Sequence, residues 1–195
     1  MNFEEITRRL NRFTVGIAGA GGLGSNIAMH LTRVGIGKLI VADYDVVQES
    51  NLNRQFYFRH QLGHKKVDAL KANLLAINPE LHIEVYDTKL DAQGIAKIYS
   101  NVDVMVEAFD KAEMKEVIAE VFQSEYPNIP LVMGNGMAGW GKSNDMRVRQ
   151  FGNLYICGDG VSEIADDLPP LSPRVGICAA MQANVVLEIL LGNGR

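Results

Sequence analysis

Apolar positions along the chain fall into short runs separated by turn residues, and the spacing within the runs alternates between helical and extended. Phe3, Ile6 and Leu10 recur at helical spacing, with Arg8, Arg9 and Arg12 between and after them, which predicts a short amphipathic helix over 2–12. Val15 to Ala18 is a compact apolar run ending in glycines, the pattern of a buried strand. Residues 23–34 read as a helix stopped by Gly35 and Gly37, and residues 39–42 as a second buried strand. Strand, helix and strand make a βαβ unit, which implies a parallel pair joined by a right-handed crossover.

The alternation continues with a helix over 65–77 before Asn78-Pro79, a strand around Ile83 and Val85, and a short helix over 95–99. A strand over 102–106, a helix over 114–122 and a strand over 131–133 follow. This order predicts an α/β fold: a Rossmann-like, mostly parallel sheet with helices on both faces. The pattern changes after Gly134. Gly134, Gly136, Gly139 and Gly141 form a glycine-rich loop, and residues 146–149 and 153–157 are set to pair antiparallel. An acidic, proline-bearing stretch over 162–173 reads as a mobile surface loop, and residues 176–191 as an apolar closing helix. One domain over 1–195 is expected, with a nucleotide-binding α/β core over 1–134. An antiparallel extension, the mobile loop and the closing helix occupy 135–195.

Composition narrows the function classes. The chain has 195 residues, 47% hydrophobic and 22% charged, with a formal net charge of -4. That balance is ordinary for a globular domain and gives no global reason to expect nucleic acid or an anionic membrane. No apolar run is read as approaching the roughly 20 residues that span a bilayer, and the first residues lack a secretory pattern. Cys157 and Cys178 can form no disulfide framework and no Cys-x-x-Cys zinc site, so a reducing cytoplasm is the expected compartment. His30, His60, His64 and His82 show no metal-ligand spacing.

The chemistry concentrates between Gly19 and Lys66. Gly19-Ala20-Gly21-Gly22-Leu23-Gly24 fits G-x-G-x-x-G between a predicted strand and a predicted helix, the context in which that motif binds an adenine nucleotide. Glycines permit the tight turn and the approach of backbone N–H groups to phosphate or ribose, and the helix start favours anions. Asp43 ends the second strand, where a carboxylate can bind a ribose hydroxyl. The turn alone leaves an NAD-dependent oxidoreductase open. The next stretch, from Asp43 and Asp45 through Ser50-Asn51-Leu52-Asn53-Arg54-Gln55 to Lys65 and Lys66, is dense in groups that grip phosphates. A bound dinucleotide has no obvious need of both Arg54 and Lys66. A triphosphate attacked at its α-phosphorus does, because charge builds on nonbridging and leaving oxygens.

Gly19-x-Gly-Gly-Leu-Gly24, Asp43-x-Asp45, Ser50 to Gln55, Gly63-x-x-Lys66, Asn73 with Ile77-Asn78-Pro79, and Asp110 together resemble the E1-like adenylating enzymes. Within them the chain is most similar to the short form of the MoeB/ThiF family of sulfur-carrier adenylyltransferases. The match is dense over 14–110 and looser beyond. The resemblance implies that Gly21 and Gly22 lie against ATP, that Asp43 binds the ribose, and that Asn51, Arg54 and Gln55 face the phosphates. It implies Lys66 as transition-state cation and Asp110 as the ligand of Mg²⁺. The implied reaction joins AMP to the C-terminal glycine carboxylate of a small ubiquitin-like sulfur carrier ending in Gly-Gly, releases pyrophosphate, and serves thiamine biosynthesis. The implied assembly is a homodimer.

Three departures qualify the match. The paired Cys-x-x-Cys motifs of longer members are missing, so no structural zinc is expected. The usual Asp-Asn after the fourth strand is Asp110-Lys111, where Lys111 either adds a phosphate contact or sits on a solvated helix face. The family's N-terminal arginine, which enters a partner's site, has only Arg8, Arg9 and Arg12 as candidates. Cys157, beside Gly158-Asp159, is a possible sulfur-carrying thiol whose alternative is packing; Cys178 reads as core. Trp140 either positions a carrier tail or caps the sheet. Activation of a carboxylate on modified tRNA and a noncatalytic nucleotide scaffold are the remaining alternatives.

Overall fold

The chain's first helix forms because Asn2 caps it. Asn2 Oδ1 accepts the Glu5 N–H at 2.9 Å, and Glu5 Oε2 accepts the Asn2 N–H at 3.1 Å, which satisfies two amides that a helix start leaves free. The protein is described by a computed structural model covering residues 1–192. In chain order, α1 (Phe3–Leu10), β1 (Thr14–Ala18), α2 (Gly22–Arg33) and β2 (Lys38–Asp43) come first. Next are α3 (Lys66–Ile77), β3 (His82–Asp87), α4 (Ala92–Ile98), β4 (Val104–Glu107), α5 (Ala112–Glu125) and β5 (Leu131–Gly134). The antiparallel pair β6 (Arg147–Phe151) and β7 (Leu154–Gly158) precedes α6 (Ser172–Leu191).

Among the described residues, seven strands join one sheet in the order β3-β2-β1-β4-β5-β7-β6. Every pairing is parallel except β6 with β7. The expected antiparallel extension is therefore continuous with the core sheet, because β7 pairs in parallel with β5 from Leu131↔Leu154 to Gly134↔Cys157.

Successive strand residues face opposite sides, and the buried residues sort accordingly. Val15, Ile17, Leu39, Val41, Val104, Val106, Val132 and Cys157 pack with residues of α2, α3 and α6. Ala18, Ile40, Ala42, Met105 and Leu131 pack with residues of α4 and α5.

α6 corrects one expectation. It begins at Ser172, four residues before the expected start, and has 20 residues with a mean hydropathy of 1.5 over its most apolar window. By length and composition it could cross a membrane, contrary to the expectation that no run approaches that length. Half of that window is buried inside the protein, where α6 lies against α2, β4, β5 and β7. The run was missed because Arg174, Gln182 and Glu188 punctuate it, and the first two of these are buried.

The stretch over 162–173 is exposed, as expected, but it is tied down. Ser162 Oγ accepts the Ala138 N–H at 3.2 Å, and Pro169 O accepts the Gly139 N–H at 2.9 Å. It is thereby held to the glycine-rich loop rather than hanging free.

Candidate functional site

The carboxyl ends of β1, β2, β4 and β5 share one end of the sheet. The chain leaves β1 for β2 on one side while β4 lies on the other, so a topological switch point falls beside β1. The glycine turn sits there. Gly19 has φ +101°, and a Cβ on it would stand 2.7 Å from Ala108 O. A Cβ on Gly24 would collide with Gly19 O. Gly21 is different: a Cβ there would meet nothing nearer than Gln55 Nε2 at 3.8 Å, so the space before it is open. A Cβ on Gly22 would lie 3.6 Å from Arg54 Cγ. The turn and the polar segment thus face each other.

Hydrogen bonds hold that arrangement. Asp43 Oδ2 accepts the Ala20 N–H at 2.6 Å, and Asp43 Oδ1 accepts the Asp45 N–H at 2.8 Å. Ser25 Oγ donates to Gly21 O at 2.6 Å and accepts the Phe56 N–H at 3.0 Å. Asn26 Nδ2 donates to Gly22 O at 2.6 Å and to Arg54 O at 2.9 Å. Asn51 is buried in a short 3₁₀ turn, Glu49–Asn51, and its Oδ1 accepts the Gln48 N–H at 2.9 Å. Asn73 Nδ2 donates to Phe56 O at 2.9 Å, which fastens the segment to α3.

The charged groups converge on the same opening. Arg54 Nη1 donates to Ser50 O at 3.0 Å and to Asn53 Oδ1 at 2.7 Å. Burial lowers its pKa, opposed by the charge of Asp110, so the two side chains feel one another. Lys66, at the start of α3, is 5% exposed, and its Nζ lies 2.7 Å from Asp45 Oδ2. Gln55 Oε1 is buried with no partner among the described residues. An orphaned acceptor is costly unless a ligand or water satisfies it, so with the open face of Gly21 it fits a bound nucleotide.

Asp110 is exposed just beyond β4, and Lys111 is exposed at the cap of α5. Below them lies a polar cluster that sequence reasoning missed. Glu107 is fully buried, and Lys115 Nζ approaches its two oxygens at 2.7 and 2.8 Å and Gly134 O at 2.9 Å. Burial pushes the Glu107 pKa up, and Lys115 pulls it back. Gln182 Nε2, from α6, donates to Glu107 O at 3.1 Å. No local signal marks this pair, because Glu107 closes β4 and Lys115 lies eight positions on, inside α5.

A second buried ion pair organises the far side. Arg174 is 3% exposed; its Nη2 meets Asp159 Oδ2 at 2.5 Å and its Nη1 donates to Gly141 O at 2.6 Å. Asp159 Oδ1 accepts the N–H groups of Val161 and Ser162, each at 2.8 Å. Burial alone would raise the Asp159 pKa, but those amides and Arg174 hold it below the ordinary value.

Cys157 is not in a loop. It lies on β7 with no exposed surface, and burial pushes its thiol up to about 12. A thiolate is the nucleophilic form, so burial and the raised pKa place this residue in packing and argue against the sulfur-carrying role. Cys178 is equally buried, its Sγ 3.4 Å from Cys157 O. Trp140 is 68% exposed. Arg12 lines a groove of about 350 Å³ with Thr14, Lys38 and His82, at the amino ends of the strands and away from the glycine turn. No group of three or more metal-ligating side chains occurs among the described residues.

A family model described as "ThiF family" matches residues 2–195. The chain is 31% identical over 188 residues to a ubiquitin-like modifier-activating enzyme 5 of Caenorhabditis elegans, covering 88% of this chain and 43% of that protein. It is 29% identical over 187 residues to a molybdopterin-synthase adenylyltransferase of Haemophilus influenzae, covering 92% and 75%. Among solved structures, the E. coli tRNA N6-threonylcarbamoyladenosine dehydratase TcdA in complex with ATP superimposes with a TM-score of 0.87 at 20% identity, covering 96% and 89%. That likeness shows a shared fold. The chain spans less than half the length of the ubiquitin-like modifier-activating enzymes it matches.

Proposed function

The chain belongs to the ThiF family, and from that premise we propose that it is an ATP-dependent adenylyltransferase acting on the C-terminal glycine carboxylate of a small ubiquitin-like sulfur carrier. The carboxylate attacks the α-phosphorus of ATP, the bond to the β-phosphate oxygen breaks, and pyrophosphate leaves with that electron pair. No protein nucleophile is required, so catalysis consists of alignment and charge stabilisation.

One observation carries the reading: the open face of Gly21 confronts Gln55, with Arg54 against Gly22. A nucleotide held by the turn would present its phosphates to that cationic segment. In this reading Gly19 and Gly24 shape the turn, Gly21 and Gly22 admit the nucleotide, and Asp43 reaches the ribose through lone pairs its backbone bonds leave free. Asn51 supports the segment, Gln55 hydrogen-bonds the nucleotide, and Arg54 steadies the phosphates. Lys66 exchanges Asp45 for a phosphoryl oxygen as charge develops. A single carboxylate suits Mg²⁺, which takes one or two protein ligands and completes its shell with phosphates and water. Asp110 would hold it, and the ion would supply charge neutralisation.

We further assign residues 1–195 to one adenylation domain, of the type that serves thiamine synthesis, and a homodimeric state. The exposed Phe3 of α1 and the partly exposed Met181, Leu187 and Ile189 of α6 support self-association. Pyrophosphate–ATP exchange tests the reading. Exchange is expected with Mg²⁺ and carriers ending in Gly-Gly. Exchange driven only by tRNA would move the substrate, and tight NAD binding without any exchange would sink the proposal.

A further inference from the structure

The peptide groups flanking Ala20 are gripped by side chains from two other segments. The Ala20 N–H donates to Asp43 Oδ2 at 2.6 Å, and the Ala20 C=O accepts the Tyr57 hydroxyl at 2.7 Å. Tyr57 is 5% exposed, and its hydroxyl has no part in the chemistry described above. Its pKa is raised by burial and by the charges of Asp43 and Asp45, so the hydroxyl stays protonated and can only donate to this carbonyl.

The consequence follows from peptide geometry. A trans peptide points its C=O and its N–H in opposite directions, and no cis peptide occurs among the described residues. Holding the Ala20 C=O toward Tyr57 therefore turns the Gly21 N–H away from Tyr57. That N–H has no acceptor among the described residues. Gly21 is also the N-cap of α2 and borders the open space described above. A glycine on one side of a peptide lowers the resistance to its rotation, so without a tether this peptide has little to hold its direction.

We propose that Tyr57 is a positioning residue that locks the 20–21 peptide with the Gly21 N–H directed at the phosphates of a bound nucleotide. The inference rests on the adenylation reading and deepens it. Asp43 and Tyr57 act as a pair: the carboxylate sets the first peptide, the hydroxyl sets the second, and the turn is formed before nucleotide arrives. Preorganisation of this kind lowers the cost of binding.

Tyr57→Phe removes one oxygen and keeps the ring. Tyr99→Phe is its control, because the fully buried Tyr99 hydroxyl also donates to a backbone carbonyl, Ile17 O at 2.9 Å, but outside the turn. Titration calorimetry with a nonhydrolysable ATP analogue and exchange kinetics would be run on the full chain and both variants. Tyr57→Phe is expected to weaken nucleotide binding by roughly five- to tenfold, raising KM for ATP while leaving kcat within about twofold. In the ¹⁵N-labelled protein it should also reduce the shift of the Gly21 amide on nucleotide binding. Tyr99→Phe is expected to lower Tm without changing affinity. Equal affinity of Tyr57→Phe and the unsubstituted chain, or an equal loss in Tyr99→Phe, would overturn the role of Tyr57. Absence of nucleotide binding by the unsubstituted chain would instead overturn the functional reading beneath it.

Discussion

Two regions carry most of the chain's organised polar chemistry, and they use it in opposite ways. In the segment from Gly19 to Lys66, side chains bond mainly to backbone, and much of the charge remains accessible. Asp43 and Asn26 tie down N–H and C=O groups, while Asp45 is about half exposed and Arg54 partly so. Between Glu107 and Arg174, four charges are paired inside the protein: Glu107 with Lys115, and Asp159 with Arg174. The first region ties down its backbone and leaves several of its charges accessible. The second commits those four charges to joining strand ends, the glycine-rich loop and α6. An isolated buried charge is far more costly than an exposed one, which explains why the pairs in the second region are closed.

The contrast can be broken most forcefully at Arg174. Arg174→Met leaves Asp159 buried without its cation, and unfolding free energy should fall by about 3–5 kcal/mol in urea titration. The remaining folded protein should keep nearly unchanged ATP affinity; a severe loss of affinity at full stability would erase the distinction between the regions. Lys66→Ala should do the converse. Pyrophosphate exchange is expected to drop about 10²–10³-fold, with Tm little altered, because Asp45 is half exposed and can be solvated.

A smaller effect comes from pH. Asp159 has its folded pKa lowered, so its contribution to stability is complete above the ordinary value of 3.8 and is lost as pH falls through that value toward the folded one. Denaturant midpoints between pH 6 and 3, to be measured for the unsubstituted chain and for Asp159→Asn, should fall less steeply in the variant. Identical slopes would remove Asp159 from the acid response. Cys157→Ala should matter least: exchange within about twofold of the parent and stability lower by about 1 kcal/mol. A loss of exchange in that variant, with the fold retained, would return Cys157 to the chemistry.

Much of the first region was legible along the chain because its signals are local. A strand, a glycine turn and a helix start follow one another within a few residues, and Asn51, Arg54 and Gln55 lie in one short run. The closing contacts were not legible. Tyr57 reaches Ala20 across 37 positions and Gln182 reaches Glu107 across 75, and neither residue type announces such a partner. Cys157 illustrates the same limit: at the end of an expected strand and beside Gly158 and Asp159 it could be read as a thiol for sulfur transfer or as packing, and only the pairing of β7 with β5 turns it into the core under α6.

The order of strands and helices and the glycine turn were determined by the sequence itself, since periodicity and backbone freedom act over a few neighbouring residues. The tertiary structure decided which charges stay available. Pairing of Asp159 with Arg174 and of Glu107 with Lys115 depends on strand order and on where α6 lands. Burial, which sets the cost of leaving any charge alone, exists only after the chain has packed.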